Sequence, residues 1–313
     1  MRVLIVGCGY VGLPLGTALV RQGHRVVGLR RTDAADAELR AAGIEPRRAD
    51  ITEPASLAAL NPAFDWVVNC VAAAGGSPEA YRRTYLEGTR NLLAWLAARP
   101  PRRFVYTSST GVYAQNDGSV VTEDAPVQAA TPTAGALIAA EQLLLEAARE
   151  RGFPTIILRL SGIYGPGRGY WLRQFLAGEA RLEGDGSRVL NMIHRDDVVA
   201  AILAALERGQ PGRVYNVSDD EPVTQRDLFA WLARACNRPM PPPAPGAASG
   251  ERRRGLTSKR VRNARLRAEL GCVLRYPTFR EGFAAELRRM ADETAAAGPP
   301  AARPTSAGAG ERG

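Results

Sequence analysis

An α/β fold built on a doubly wound parallel sheet is predicted by three features of the 313-residue chain. Short β-branched and leucine-rich runs alternate with helical stretches through the first half. A glycine turn joins the first run to the first helix. A composition of 45% hydrophobic, 23% charged and 6% aromatic residues supplies apolar material for one large or two modest cores. That apolar fraction excludes disorder as the main state, and the chain lacks the sustained short repeats of collagen or coiled coils and any solenoid period.

The elements follow in order. Residues 3–6 form a first strand that ends in Gly7-Cys8-Gly9-Tyr10-Val11-Gly12, and a helix over 13–21 is stopped by Gly23. Although this apolar start superficially resembles a signal peptide, its glycines fall at phosphate-loop spacing, and it reads as a folded strand and helix. Further strands are expected at 25–29, 66–72, 103–107 and 155–160, with helices at 55–60, 81–98 and 136–150. Strands this short and apolar need helices on both faces of a parallel sheet. Beyond Gly165 the alternation loosens, with loops at 165–169 and 184–187 and a proline-rich segment at 240–250. The expected organisation is a dinucleotide-binding domain over 1–165, to which 190–217 returns, and a smaller substrate-binding region over 166–290. A tail over 291–313, made of Ala, Gly, Pro and charge, is expected to stay disordered.

Charge argues against a nucleic-acid partner despite a net of +9. Residues 1–237 carry 26 basic and 25 acidic side chains, whereas 238–313 carry 15 and 7. The excess therefore sits in the last quarter, where Arg252-Arg253-Arg254 has no interleaved aromatic residues. Cys8, Cys70, Cys236 and Cys272 form no C-x-x-C pair, so neither a zinc site nor a redox motif is expected, and a reducing cytoplasm fits. No apolar run is long enough to span a membrane.

The turn Gly7-x-Gly9-x-x-Gly12 carries the first chemical signal. Between a strand and a helix, its glycines let the chain bend tightly, let the backbone approach a pyrophosphate, and let helix and strand pack closely. Phosphates would meet the amides near Tyr10, Val11 and Gly12 at the helix N-terminus. This is the Rossmann fingerprint. The residue ending the second strand separates NAD from NADP, because a carboxylate there binds a ribose hydroxyl while arginine accommodates the 2′-phosphate. Here the strand ends Leu29-Arg30-Arg31 and the first acid, Asp33, comes late. The missing acid favours NADP, with NAD as second choice, and makes Arg30 and Arg31 cofactor candidates.

Several further motifs stand in a meaningful order over residues 1–282: Asp50-Ile51, Gly88-Thr89-Arg90-Asn91, Thr107-Ser108-Ser109-Thr110-Gly111-Val112-Tyr113, Tyr164-Gly165-Pro166-Gly167, Gly184-Asp185-Gly186-Ser187, Ile193-His194-Arg195-Asp196-Asp197 and Tyr215-Asn216-Val217. With the glycine turn they make the chain resemble the extended short-chain dehydrogenase/reductase family, the NAD-dependent epimerase/dehydratase group. The resemblance implies that Asp50 and Ile51 contact the adenine side of the cofactor, that Ala72 lies in the cofactor set, and that Ser109 takes the catalytic Ser/Thr role. It also implies a Tyr-x-x-x-Lys pair on the following helix, in which lysine lowers the tyrosine pKa and the tyrosine exchanges a proton with substrate. That pair is absent. The chain has one lysine, Lys259, preceded four residues earlier by Gly255, and residues 131–138 contain neither Tyr nor Lys. The closing stretch, Ser258-Lys259-Arg260-Val261-Arg262-Asn263 with Arg280-Glu281-Gly282, resembles an atypical branch that has lost the pair.

The resemblance implies an NAD(P)-dependent oxidoreductase or epimerase/dehydratase-like enzyme acting on a sugar-like or other polar carbonyl or hydroxyl compound. The alternative is a coenzyme-binding sensor or scaffold without turnover. Nucleotide-sugar relatives commonly carry a diphosphate-binding arginine where this chain has Leu190, with Arg188 as a possible substitute, and an asparagine where it has Gly162. Ser109, Tyr113, Tyr164 and the His194/Asp196/Asp197 group are the candidates for polar chemistry. Each has a plainer role open to it: satisfying loose backbone groups, packing, or capping a helix. Trp171 could line the cleft or fill the smaller core, and mid-strand Arg159 calls for a buried salt bridge. No metal cluster is expected, and two chains could pair through the helices at 81–98 and 136–150.

Overall fold

The computed structural model describes residues 1–245 and 257–297; the Arg252-Arg253-Arg254 run, Gly255 and the end of the chain lie outside them. The first part runs β1 (Arg2–Val6), α1 (Gly12–Arg21), β2 (Arg25–Arg30), α2 (Asp36–Ala41), β3 (Glu45–Arg48), α3 (Pro54–Ala58), β4 (Trp66–Asn69), α4 (Pro78–Tyr81), α5 (Gly88–Leu96) and β5 (Arg103–Ser109). A π-helical segment at Arg82–Glu87 joins α4 to α5, and a 3-10 turn at Thr110–Val112 follows β5. The rest runs β6 (Val120–Val121), α6 (Pro132–Arg151), β7 (Thr155–Leu160), β8 (Gly162–Tyr164), α7 (Tyr170–Leu176), β9 (Val189–Leu190), β10 (Met192–His194), α8 (Arg195–Arg208), β11 (Val214–Val217), β12 (Val223–Thr224), α9 (Gln225–Ala235), β13 (Arg260–Val261), α10 (Ala264–Leu270) and α11 (Phe279–Ala297).

The central sheet is parallel, in the order β11-β7-β5-β4-β1-β2-β3. Alternation along β1 divides the core. Val3 and Ile5 pack with Leu15 and Leu19 of α1 and Val198 and Ile202 of α8, while Leu4 and Val6 pack with Leu92 of α5 and Leu144 of α6. Helices cover both faces, as the apolar strands require. A third cluster, with Phe175, Phe229, Phe279 and Phe283, forms the core of the smaller region.

Two boundaries differ from expectation for visible reasons. The strand expected over 66–72 ends at Asn69, since the chain from Cys70 turns past the backbone of Gly7. Helix α11 continues to Ala297, so the tail expected from 291 begins in regular structure; residues 298–313 lie outside the described set. No helix among the described residues is long and apolar enough to cross a membrane.

A buried polar network holds the sheet edge together. Arg159 of β7 reaches Glu141 of α6 through Nη2 at 2.7 Å and Nε at 3.1 Å, and its Nη1 donates to the Tyr113 hydroxyl at 2.8 Å. Tyr113 in turn donates to Asn216 of β11 at 2.8 Å, and Ser108 of β5 donates to Glu141 at 2.5 Å. All five residues are buried. Removing one charge would leave the other desolvated and alone. Arg159→Met is therefore expected to cost about 3–5 kcal/mol, read as a lower urea midpoint, with much of the loss recovered in the Arg159→Met/Glu141→Leu double variant.

Candidate active site

Sheet topology locates the site before any side chain does. From β1 the chain winds outward to β2 and β3, then returns to the other side of β1 with β4. The crevice between the carboxyl ends of β1 and β4 is the switch point where open α/β sheets bind ligands. The glycine turn opens from β1 at this crevice, and Ala72 lies exposed on the loop after β4.

Each glycine in the turn has a distinct task. Gly7 adopts φ +85°, and a Cβ there would stand 2.7 Å from the Val71 Cα. A Cβ on Gly12 would stand 2.8 Å from the Gly7 carbonyl oxygen and 3.0 Å from Ile5 Cγ2. Gly9 is different, because a Cβ there meets nothing within 4 Å. Its hydrogen therefore does not serve internal packing; it leaves room for a partner to approach the backbone. Helix α1 begins at Gly12, its N-cap residue Val11 makes no side-chain cap, and its first turn holds no acid. Tyr10 and Val11 amides form no backbone hydrogen bond among the described residues. Uncapped donors, a positive helix end and open access fit a pyrophosphate.

The Asp50-Ile51 loop, expected to face adenine, is held by its own turn and by the helix behind it. Asp50 Oδ1 accepts from the Thr52 amide at 2.9 Å and the Thr52 hydroxyl at 2.8 Å. Ile51 is buried where a Cβ on Gly88 would overlap it, and Asn91 donates to its carbonyl at 2.8 Å. The Gly88-to-Asn91 motif thus fixes the Asp50-Ile51 loop. At the end of β2, Arg30 is half-buried and Arg31 exposed, and neither guanidinium has a partner among the described residues. Asp33 does: its carboxylate pairs with Arg48 at 3.1 Å. Burial pushes the nearby Cys8 thiol up to about 12, against the opposing pull of Arg30.

Ser109, the candidate for the catalytic Ser/Thr role, ends β5 half-buried, and its Oγ accepts from the Gly111 amide at 3.0 Å. Ser108, turned to the other face, is committed to Glu141. Tyr113 and Tyr164 are both buried, Tyr113 tied to Arg159 and Asn216 and Tyr164 packed against His194 and Phe283. A Cβ on Gly282 would overlap the Tyr164 hydroxyl, which explains the glycine in Arg280-Glu281-Gly282. Burial, reinforced by Asp219, Asp197, Glu281 and Glu286, pushes the Tyr164 phenol up, so it is a poor acid here. His194 serves structure: Nδ1 accepts from the Asp196 amide at 3.2 Å at the start of α8, leaving Nε2 for Glu286 at 3.4 Å. Asp197 instead accepts from the amides of Arg275 and Tyr276. Trp171 packs on Phe229 in the smaller core.

Folding brings Arg168, which no linear motif marks, together with motif residues from elsewhere in the chain. Arg168 and Arg195 lie over the Tyr10 ring, 5.1 and 5.4 Å from its centroid, so the loop after β8 reaches back onto the glycine turn. Arg188 pairs with Glu183 at 3.1 Å and lies over Trp171, while Leu190 is buried in the smaller core. At the start of α6, Thr131 caps the helix and shares a 2.9 Å hydrogen bond with Thr133. No group of three or more His, Cys, Asp or Glu side chains among the described residues is placed to hold a metal ion.

Residues 3–218 match the model of the NAD dependent epimerase/dehydratase family. The chain belongs to that family. A 3-diazoavenalumate denitrifying reductase from Streptomyces is 30% identical over 317 residues, spanning 91% of this chain and all of the relative. A solved structure of a functionally unknown conserved protein from Silicibacter pomeroyi is 31% identical over 92% of this chain and 98% of its own, with a TM-score of 0.76. UDP-glucuronic acid 4-epimerase from Bacillus cereus, solved with UDP-glucuronic acid and NAD, superposes with a TM-score of 0.79 over 94% of this chain and 100% of its own at 20% identity, a likeness of fold. Membership places this epimerase/dehydratase-family chain in the NAD(P)-dependent oxidoreductase/epimerase class.

The glycine geometry separates two substitutions. Gly9→Ala is expected to leave the unfolding midpoint of this epimerase/dehydratase-family chain within about 0.5 kcal/mol of the parent while abolishing coenzyme binding by calorimetry. Gly12→Ala is expected to lower the midpoint itself, because the added carbon meets backbone.

Proposed function

We propose that this chain is an NADPH-dependent reductase of a polar carbonyl compound. The observation that carries the reading is the open, uncapped glycine turn at the switch point of the sheet. Bound there, the dinucleotide would supply a hydride. Gly7, Gly9 and Gly12 shape the turn, the amides of Tyr10 and Val11 bind the pyrophosphate, and Asp50, Ile51 and Ala72 flank the adenine side. Arg30, with Arg31 beside it, binds the 2′-phosphate, a role supported by their lack of carboxylate partners and by the engagement of Asp33 with Arg48. Ser109 orients the substrate oxygen through a hydrogen bond.

Reduction is favoured over epimerisation by the Streptomyces relative, which is named as a reductase across nearly the whole chain. A substrate without a nucleoside diphosphate is favoured by Leu190 and Arg188, one buried in apolar packing and the other engaged with Glu183 and Trp171.

Stereospecifically deuterated NADPH, offered with a panel of ketones, aldehydes and nucleotide sugars, is expected to lose deuterium to a ketone or aldehyde. Tight binding without transfer across the panel would identify a coenzyme-binding scaffold instead, the alternative that the missing Tyr/Lys pair motivates. For cofactor choice, Arg30→Glu is expected to weaken NADPH binding by roughly 10-fold to 100-fold, the worth of a charged hydrogen bond, and NADH binding much less. Equal losses would refute the assignment.

A further inference from the structure

The chain holds a single lysine, and the fold buries it. Lys259, immediately before β13, is 4% exposed. Its Nζ donates to the Tyr113 carbonyl at 2.9 Å and to the Thr257 hydroxyl at 2.9 Å. An ammonium has three N–H donors, so one remains uncommitted among the described residues. Both acceptors are neutral, and no carboxylate among the described residues lies within ion-pair distance.

Its position relates it to the site. Tyr113 ends the turn that begins at Ser109. Lys259 stands two residues before Val261, which ends β13. Val261 packs in one cluster with Val112, Tyr113, Val121 and Leu137. Leu137 belongs to the α6 stretch where the family resemblance expects the absent lysine. The β13 segment, into which Lys259 leads, therefore packs through Val261 beside the part of α6 on which a helix-borne lysine was expected.

We propose that Lys259 is the proton donor of the reduction, brought to the site by the β13 segment in place of the Tyr/Lys pair that α6 lacks. The proposal rests on the reductase reading. The carbonyl carbon gains hydride from the reduced dinucleotide, the π pair passes to oxygen, and oxygen takes a proton from Nζ. The neutral amine regains a proton from solvent through the half-buried Thr257 hydroxyl. Burial supports this chemistry by lowering the Lys259 pKa from 10.5 to about 8, with no neighbouring charge contributing. The titratable groups on the packed elements are engaged elsewhere: the Tyr113 phenol by Arg159 and Asn216, and Glu123 by the Asn216 amide and Arg265.

A single lysine makes a direct test available. Protein grown on lysine labelled with carbon-13 at Cε gives one resonance whose pH titration reads Nζ. Its midpoint is expected near 8 without coenzyme, and lower with NADP⁺ bound than with NADPH bound, because only the oxidised ring is positively charged. A midpoint near 10.5, or equal midpoints with the two coenzymes, would overturn the proposal. In turnover of the panel ketone that accepts deuterium, Lys259→Arg preserves a cation on the Tyr113 carbonyl but not a labile proton. It is expected to lower kcat about 100-fold, within the range of general-acid effects, with KM little changed and the pH dependence near 8 lost. Unchanged kcat in Lys259→Arg would make the lysine an anchor only. Failure of NADPH to raise the melting temperature of the parent protein would instead overturn the reductase reading, and this proposal with it.

Discussion

Everything in this molecule is arranged around a close approach of backbone to backbone at the ends of β1 and β4. The Gly7 backbone lies so near Val71 that no side chain fits between them, and Gly12 sits equally close to the Gly7 carbonyl. Those contacts leave the amides of Tyr10 and Val11 at the mouth of the crevice without internal acceptors. A helix end in that condition is costly unless water or an anion satisfies it. Binding capacity is thus a consequence of how tightly the strand must turn.

A second constraint fixes the other half of the site. Glu141 and Arg159 are buried as a pair whose desolvation is offset by further partners, Ser108 on Glu141 and the Tyr113 hydroxyl on Arg159, with Tyr113 in turn donating to Asn216. The network joins β5, α6, β7 and β11, so the turn after Ser109 and the first turns of α6 hold their places without the Tyr/Lys pair. Position and chemistry are separable here. Helix α6 keeps its seat against the sheet while its first turn carries the half-buried Thr133.

The central fold was legible because its signals are local. Apolar runs alternate with helices, and Gly7, Gly9 and Gly12 mark the first crossing from strand to helix. Asp50-Ile51 and Gly88-to-Asn91 were also visible, although their mutual contact needed the structure. Other features depend on distant partners. The edge strand Glu45–Arg48 is too polar for composition to announce it and follows only from the resemblance, which puts Asp50-Ile51 at the end of a third strand. The π-helical segment at Arg82–Glu87 has no sequence period of its own, and the strand pairs β8/β10, β9/β12 and β6/β13 are two or three residues long. In the sequence, Lys259 stands out only as the single lysine, with Gly255 four residues before it in place of a tyrosine. Its burial follows from β13 pairing with β6, separated by some 140 residues of chain, and no local pattern encodes that.

The basic excess of the last quarter acquires a different meaning in the same light. Arg265 faces Glu123, Asp124 and Glu269, Arg267 pairs with Asp220, and Arg280 with Glu221. The more exposed of these pairs, Arg267–Asp220 and Arg280–Glu221, each contribute little. Apart from Glu269 on α10 itself, the partners of these arginines lie on the segments that follow β6 and β11, so together they orient the C-terminal region on the body. The backbone of the same region is fastened by Asn191, which donates to the Lys259 carbonyl and accepts from the Val261 amide. A lysine on α6 would be in place as soon as the sheet formed. One carried before β13 is in place only after the C-terminal region has docked, so the chemistry of the site becomes conditional on closure of the whole chain.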